Sequence, residues 1–359
     1  MATFKPTARL ASLDILRGFD LFLLVFFQPV LLQFGHQLDN PTLNTVLCQF
    51  DHEIWEGFRF WDLVMPLFMF MAGASMPFSF SKYKNQPNKK NAYRKIFRRV
   101  ALLFLLGMIV QGNLLDFSPE TIHFYNNTLQ AIATGYFISA VILLNCSVRK
   151  QVMWTVFLLI IYGVPMAFWG DFTQEGNFAN WVEQIVVGHF RDDPTYTWIW
   201  SSLTFGATVM LGVFAGHIMK NGADCRGKVV QRLLIIGFAL IAAALLWSLQ
   251  MPIIKRIWTS SMTLLSGGYC FLLMALFYYW IDYKGNVKGF NWLKIYGMNS
   301  IAAYMLGETV NFRSVAESLL HGTQQFAGAY YPAILASANY LIVFLILRFM
   351  YKYKIFLKV

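Results

Sequence analysis

The sequence predicts an all-α fold, a polytopic transmembrane helix bundle of about ten helices with both termini in the cytoplasm. Hydrophobic residues make up 57% of the 359 residues and charged residues only 13%, whereas soluble domains carry about 25% charged residues. A soluble chain of this length could not bury so much apolar surface. The apolar residues also fall in runs long enough to cross a bilayer, and the basic residues fall between those runs.

A bilayer core of about 30 Å requires about 20 apolar residues per helix. Ten stretches meet this requirement, and they occupy 13–34, 61–81, 97–115, 124–145, 151–169, 199–219, 229–249, 258–281, 292–311 and 331–350. No internal repeat or linker divides the chain. The sequence therefore predicts a single transmembrane domain over residues 1–359.

The distribution of Lys and Arg predicts the orientation, because cytoplasmic loops of membrane proteins are enriched in both. Segment 82–99 holds eight basic residues and is therefore predicted to be cytoplasmic. Counting spans from there places most of the 29 Lys and Arg residues on that same side. The exceptions fall in predicted outer loops and are Arg59, Arg191, Lys255, Arg256 and Arg313. The net charge of +11 thus reflects membrane topology, and no nucleic-acid partner is predicted.

Charged residues inside membrane spans mark functional sites by default. Asp14 and Arg17 can pair on one face of the first helix, either as an anchor at the inner boundary or as part of a site. Asp62 opens the second span four residues before Pro66, which is predicted to kink the helix. Glu308 lies late in the ninth span, where structural hydrogen bonding and substrate contact explain it equally well.

One histidine stands out as a candidate general base. His52 is flanked by Asp51 and Glu53 in a predicted outer loop, ahead of the span that begins near Asp62. The chain contains no HExxH motif, CxxC pair or Gly-rich P-loop, so the sequence predicts neither a metal site nor ATP-driven chemistry.

A basic cluster of Lys95, Arg98 and Arg99 opens the third span. Composition favours positive-inside anchoring as its role. The second interpretation is a grip on the phosphates of an anionic cofactor that arrives from the cytosol.

Several motifs, taken in order along the chain, resemble one family. They are Leu13-Asp14-Ile15-Leu16-Arg17-Gly18, His52-Glu53-Ile54-Trp55-Glu56-Gly57, Asp62-Leu63-Val64-Met65-Pro66, Gly73-Ala74-Ser75, Leu129-Gln130, Gly212 with Ala215-Gly216-His217-Ile218, Lys255 with Trp258, and Gly297-Met298-Asn299-Ser300. This set is similar to the heparan-α-glucosaminide N-acetyltransferase family, with its bacterial relatives in the transmembrane acyltransferase group. The resemblance covers nearly the whole chain.

The resemblance implies transmembrane acetylation, in which acetyl-CoA from the cytosol donates to the amine of a glucosamine on the other side. The family's active histidine falls on His52, which agrees with the predicted outer loop. His52 would act as a general base or would carry the acetyl group itself, and the sequence leaves both routes open. The family's asparagine, a donor to the developing oxyanion, is replaced by Gln28. Asp62 would orient His52 or the incoming amine.

The resemblance also implies a path for acetyl-CoA through the bundle. Arg99 matches a basic family position and is predicted to contact phosphate first, with Arg98 and Lys95 behind it. The side chains of Trp258, Tyr296 and Asn299 are predicted to line the path, although core packing explains them equally well. The acceptor site is assigned to Asp51, Glu53, Trp55 and Glu308.

The predicted acceptor is free glucosamine or another small periplasmic amino sugar, and the predicted location is a bacterial inner membrane. Animal members have an additional lumenal segment before the first helix, whereas this chain begins close to it. The alternatives are an amino-sugar transporter, which the lack of internal symmetry disfavours, and an O-acyltransferase of surface polysaccharide. Small-residue faces such as Gly73 and Gly107 predict a homodimer.

Overall fold

The computed structural model of the chain describes residues 10–35, 37–38, 40–84, 86–112, 115, 122–222 and 224–357. Over these ranges the regular structure is helical, and the only β-type pairing consists of isolated bridges. The α-helices are α1 (Ala11–Phe22), α2 (Gln28–Gly35), α3 (Pro41–Leu47), α4 (Val64–Ser79), α5 (Ser81–Lys84), α6 (Lys90–Val110), α7 (Thr128–Asn145), α8 (Val148–Phe168), α9 (Phe178–Val186), α10 (Ser202–Asn221), α11 (Arg226–Ser248), α12 (Ser260–Phe277), α13 (Asn291–Met298), α14 (Ser300–Thr309), α15 (Arg313–Leu320), α16 (Gln324–Ala327) and α17 (Tyr331–Lys352).

Eight helical segments within the described ranges are long and apolar enough to cross a membrane. They are Ala11–Gly35, Phe60–Ser79, Thr128–Asn145, Val148–Phe168, Ser202–Asn221, Arg226–Ser248, Ser260–Tyr283 and Arg313–Lys352. Because apolar side chains cover both the interior and much of the exterior of this bundle, the prediction of a polytopic transmembrane helix bundle is confirmed.

The two remaining predicted spans, 97–115 and 292–311, are helical over most of their described residues, but neither is a continuous apolar helix. Helix α6 has 21 residues, and its first half carries five of the eight basic residues of the predicted cytoplasmic segment. The ninth predicted span is broken, because Asn299 leaves the helical conformation (φ −121°, ψ 44°) between α13 and α14. A break of this kind exposes backbone polar groups, which membrane proteins tolerate where the chain lines a cavity.

Helices α4 and α10 form the centre of the bundle and approach each other closely. A Cβ on Gly73 would lie 2.0 Å from the carbonyl oxygen of Val209 in α10, so only glycine permits this contact. A Cβ on Gly107 would lie 2.8 Å from the side chain of Gln130 in α7. Both glycines therefore pack within the chain, and they no longer support the predicted homodimer.

The sequence predicts a kink at Pro66 within the second span, but the structure places this proline near the start of a helix. A short 3-10 helix, Phe60–Leu63, precedes α4 and places Pro66 in the first turn of the α-helix. Proline costs little there, because first-turn N–H groups have no intrahelical acceptor.

The loops at the His52 end of the bundle are bonded to one another. The Trp55 indole donates to the Phe172 carbonyl at 2.7 Å, and an antiparallel bridge joins Glu56 to Ile254. The buried carboxylate of Glu183 on α9 accepts the backbone N–H groups of Trp198 and Ile199 at 3.0 and 2.9 Å. These bonds bring three loops that are distant in sequence to one end of the bundle.

Candidate active site

A continuous cavity of about 1190 Å³ runs lengthwise through the described part of the bundle. One wall is formed by successive turns of the second span, at Trp61, Val64, Met65, Phe68, Ala72, Ser75, Phe78 and Ser79. At 1.5 Å per residue, these positions extend over about 27 Å, nearly the thickness of a bilayer core. The cavity therefore connects the His52 end, with His52 and Lys255, to the Arg99 end, with Arg99, Arg17 and Lys220.

At the His52 end, the start of the second span creates a fixed carboxylate. Asp62 is fully buried, and its Oδ2 accepts the backbone N–H groups of Arg59 at 3.0 Å and Glu53 at 3.2 Å. Its Oδ1 lies 2.9 Å from Nδ1 of His52. A carboxylate can only accept hydrogen bonds, so this contact favours the neutral tautomer with the proton on Nδ1 and the lone pair on Nε2, the nitrogen that lies 3.2 Å from the Lys255 ammonium. The predicted role of Asp62 in orienting His52 is consistent with this geometry.

A basic residue from a distant loop completes the cluster. The Lys255 ammonium nitrogen lies 2.8 Å from Nδ1 and 3.2 Å from Nε2 of His52, and 3.4 Å from Oδ1 of Asp62. Lys255 is only 7% exposed, whereas the His52 side chain is 42% exposed and reaches the cavity. The loop is held by the Glu56–Ile254 bridge and by a turn in which Trp258 N–H donates to the Lys255 carbonyl.

The cluster shifts the pKa values of both basic side chains. Burial lowers the pKa of His52, and the neighbouring cation Lys255 lowers it further, against the opposing effect of Asp62. Burial lowers the pKa of Lys255 to about 8, which Asp62 partly opposes. At neutral pH the arrangement therefore holds an uncharged imidazole beside a balanced ammonium–carboxylate pair.

The predicted acceptor residues separate into two groups. Glu308 lines the cavity, in agreement with a substrate role. The Glu53 carboxylate instead pairs with Arg59, which donates through Nε at 2.8 Å and through a terminal nitrogen at 3.1 Å. Asp51 is exposed, and the Trp55 indole is bonded to the neighbouring loop, so neither reaches the cavity.

Gln28 lies at the junction between a π-helix, Leu23–Phe27, and α2. Its amide donates to the Phe50 carbonyl at 3.1 Å, and its side chain is not part of the cavity wall. The oxyanion role assigned to Gln28 stays a prediction, and this geometry does not support it.

At the opposite end, Arg99 reaches the cavity from α6. Its guanidinium carbon lies 4.3 Å from the centre of the Tyr136 ring, and its Nε is buried without a hydrogen-bond partner among the described residues. Such a nitrogen is suited to an anionic ligand, because an unpaired buried donor is costly. Arg98 and Lys95 are exposed on the same helix and do not line the cavity.

The three residues predicted to line the path occupy different places. Trp258 lines the cavity, with its indole donating to Thr208 at 3.0 Å. Tyr296 is buried against Phe344, with 5.5 Å between ring centres, and serves the core. Asn299 is fully buried and does not face the cavity, although its neighbours Met298 and Ser300 do.

Asn299 instead fixes the C-terminal segment at the Arg99 end. Its amide nitrogen donates to the Ile355 carbonyl at 3.0 Å, and its amide oxygen accepts the Leu357 N–H at 3.1 Å. Phe356 and Leu357 thereby form part of the cavity wall. Asn299 therefore shapes the cavity indirectly, because it holds the backbone of the segment that contributes Phe356 and Leu357 to the wall.

Sequence reasoning did not assign Lys255 or Arg256 to the site, although both line the cavity. A signal was present, because both are exceptions to the positive-inside pattern. A third exception, Arg59, pairs with Glu53, and a fourth, Arg191, donates to Asn180 beside the same loops. Basic residues on the predicted outer side thus concentrate around the His52 end.

No group of three or more His, Cys, Asp and Glu side chains in the described part of the chain could hold a metal ion. The fold and the site together define a multi-pass membrane protein with a histidine acid–base cluster and a cationic surface at the two ends of one cavity. The family model for heparan-α-glucosaminide N-acetyltransferase, catalytic, matches residues 9–248. The chain belongs to this family, and the resemblance of its motifs is confirmed.

Two mammalian proteins named heparan-α-glucosaminide N-acetyltransferase are similar to the chain. The Homo sapiens protein is 24% identical over 424 aligned positions, which cover 100% of this chain and 61% of that protein. The Mus musculus protein is 23% identical over 414 positions, which cover 98% of this chain and 60% of that protein. The chain thus spans about three fifths of the length of these relatives.

Proposed function

We propose that the protein transfers an acetyl group from cytosolic acetyl-CoA to the amine of glucosamine or a related small amino sugar on the periplasmic side of a bacterial inner membrane. The observation that carries this proposal is the continuous cavity that joins the His52–Asp62 cluster to Arg99. Chemistry at one membrane face can then use a donor bound from the other face.

His52 is proposed to act as the general base. An amine attacks an acyl carbon only in its neutral form, so its proton must move to a base whose pKa lies near the working pH. With Nδ1 bonded to Asp62, Nε2 would accept the proton that the substrate amine releases, in place of its 3.2 Å contact with the Lys255 ammonium. His52 then returns this proton to the departing sulfur, which balances the reaction as the C–N bond forms and the C–S bond breaks.

The Arg99 end is proposed to hold the phosphates of acetyl-CoA. Arg99 offers an unpaired buried donor, and Lys220 adds positive charge to the same wall. Arg17 also lines this wall and lies 4.0 Å from Asp14, so the predicted pairing of these two residues is present. Acetyl-CoA supplies the activated thioester when it is bound, and its long arm suits a cavity that extends over about 27 Å. Phe356 and Leu357 would cover apolar parts of that arm.

The test is acetyl transfer by the detergent-purified protein, with labelled acetyl-CoA and glucosamine, beside His52→Ala. We expect the wild type to form N-acetylglucosamine and His52→Ala to form almost none while still binding CoA. The matched control is His321→Ala, which removes an exposed histidine outside the cavity wall and should retain activity.

Other outcomes identify the alternatives. Sugar accumulation in reconstituted vesicles without acetyl transfer would establish the transporter instead. Transfer to alcohols but not to amines would establish an O-acyltransferase. An acetylated His52 peptide in quenched reactions would show that the histidine carries the acetyl group in a two-step route.

A further inference from the structure

We propose that Lys255 is a positioning residue of the active site, whose ammonium holds the His52 imidazole uncharged so that the ring stays able to accept a proton. The catalytic role of Lys255 in this inference rests on the proposed function. The interaction itself is a property of the structure and can be measured without any acetyl transfer.

The geometry supplies the reason. Lys255 and Asp62 form a pair of opposite charges 3.4 Å apart, so the buried cluster is balanced while His52 is neutral. Protonation of His52 would add a second positive charge within 2.8 to 3.2 Å of the ammonium. Like charges at that separation repel, and the burial of Lys255 limits how far water can screen them.

Without Lys255, the electrostatics of the site would favour protonated His52 over neutral His52. Asp62 would remain a fully buried carboxylate 2.9 Å from the imidazole, and a protonated His52 would then be its natural counterion. A buried unpaired charge is strongly destabilising. Loss of Lys255 alone would therefore convert His52 from a neutral imidazole, which can accept a proton, to a protonated imidazole paired with Asp62.

The loop architecture keeps Lys255 in place. Gly57 N–H donates to the Ile253 carbonyl at 2.8 Å, beside the Glu56–Ile254 bridge, so the segments that carry His52 and Lys255 run side by side. Trp258 adopts a left-handed backbone (φ 52°), a strained conformation for a bulky residue. The protein accepts this strain in the turn that presents Lys255.

Other charged groups also face His52 and must be separated from Lys255 in any test. Arg256 adds a smaller depression of the His52 pKa, and it donates to Thr195 on the opposite loop. Arg59 donates weakly to the His52 carbonyl at 3.4 Å and is neutralised by Glu53. The remaining ionisable groups on the wall toward this end are Asp192, Asp193, Tyr196 and Glu308.

The experiment measures the pH dependence of His52 modification by diethyl pyrocarbonate, which reacts only with the neutral imidazole. Peptide mass spectrometry on the purified full chain separates His52 from the other histidines, with His52→Gln as the blank. We expect the wild-type midpoint below pH 6.5, and we expect Lys255→Met to raise the midpoint by about one pH unit or more.

Three further variants make the result specific. Lys255→Arg should retain the low midpoint because it retains the charge, and Arg256→Met should shift the midpoint less than Lys255→Met does. The double variant Lys255→Met, Asp62→Asn should lose the upward shift, because no carboxylate then attracts the proton. If Lys255→Met does not fold, Lys255→Gln keeps a hydrogen-bond donor for Asp62 and carries the same expectation.

An unchanged midpoint in the folded neutral variants would overturn the inference, as would equal shifts in Lys255→Met and Arg256→Met. The expected shifts without acetyl transfer by any protein would support the role of Lys255 and overturn the acetyltransferase proposal. The expected shifts together with acetyl transfer that recovers at higher pH in Lys255→Met would support both.

Discussion

The two ends of the cavity differ in the charged groups that they bring together. At the His52 end, the buried carboxylate of Asp62 has bonding partners on both oxygens, and the loops around it are tied by backbone bonds. The wall at each end includes one arginine whose Nε is buried without a partner among the described residues, Arg256 at the His52 end and Arg99 at the other. At the Arg99 end, part of the wall is a C-terminal segment whose backbone Asn299 bonds at two points.

This difference indicates a division of tasks. A preorganised cluster suits chemistry, because a reaction gains from groups that do not have to rearrange. A cationic surface such as the one around Arg99 suits binding, because an anionic ligand supplies the missing acceptor. The predictions below test this division from the largest expected effect to the smallest.

Replacement of the carboxylate at the His52 end should have the largest effect. Asp62→Asn removes the acceptor that fixes the Nδ1 proton of His52, and we expect kcat for acetyl transfer to fall by about 10²–10⁴-fold. Binding of CoA, measured by calorimetry, should stay within about threefold. A large loss of CoA affinity would show that the two ends do not act separately.

Replacement of the cation at the other end should change binding instead. Arg99→Ala removes a charge-assisted contact, and we expect KM for acetyl-CoA to rise by about 10–100-fold with a smaller change in kcat. The matched control is Arg98→Ala, the exposed neighbour on the same helix, which should leave KM nearly unchanged. Equal effects would favour a diffuse cationic surface.

The lowered pKa of His52 predicts the acidic limb of activity. A base acts in its unprotonated form, so kcat/KM should hold its plateau down to below pH 6.5 and then fall about tenfold per pH unit. A pH–rate profile measures the midpoint. A midpoint clearly above 6.5 would contradict the uncharged imidazole inferred from the structure.

The C-terminal segment should depend on Asn299. Asn299→Ala loses two hydrogen bonds to the backbone at Ile355 and Leu357, which should lower the free energy of unfolding by about 1–3 kcal/mol. Thermal unfolding in detergent measures this change. Trypsin should also cleave faster after Lys352 and Lys354, and an unchanged cleavage rate would show that the segment is held elsewhere.

The smallest effect is expected at Gln28, where sequence and structure disagree. Its amide bonds to Phe50 away from the cavity wall, so Gln28→Ala should change kcat by less than about threefold. Loss of an oxyanion donor would instead cost about 10²–10³-fold in kcat. Steady-state kinetics with saturating acetyl-CoA distinguishes these outcomes, and a large loss would restore the sequence-based role.

The sequence alone determined the class of fold and the central pair of the site. Apolar run length has one physical solution in a bilayer, so the helix bundle followed directly. His52 and Asp62 lie ten residues apart on one local segment, and a helix start naturally presents an acidic side chain to preceding N–H groups. Contacts between residues this close in sequence can be predicted without knowledge of the tertiary structure.

The tertiary structure decided everything that depends on distant segments. Lys255 lies 203 residues from His52, and only the bridge between their loops brings the ammonium to the imidazole. Arg99 and Arg98 are adjacent in sequence, yet helical rotation places one in the cavity and the other on the exterior. Asn299 and Gln28 carry the right chemical groups, but packing directs those groups to backbone partners. The sequence specifies which groups are present, and the packing of the helices decides which of them meet.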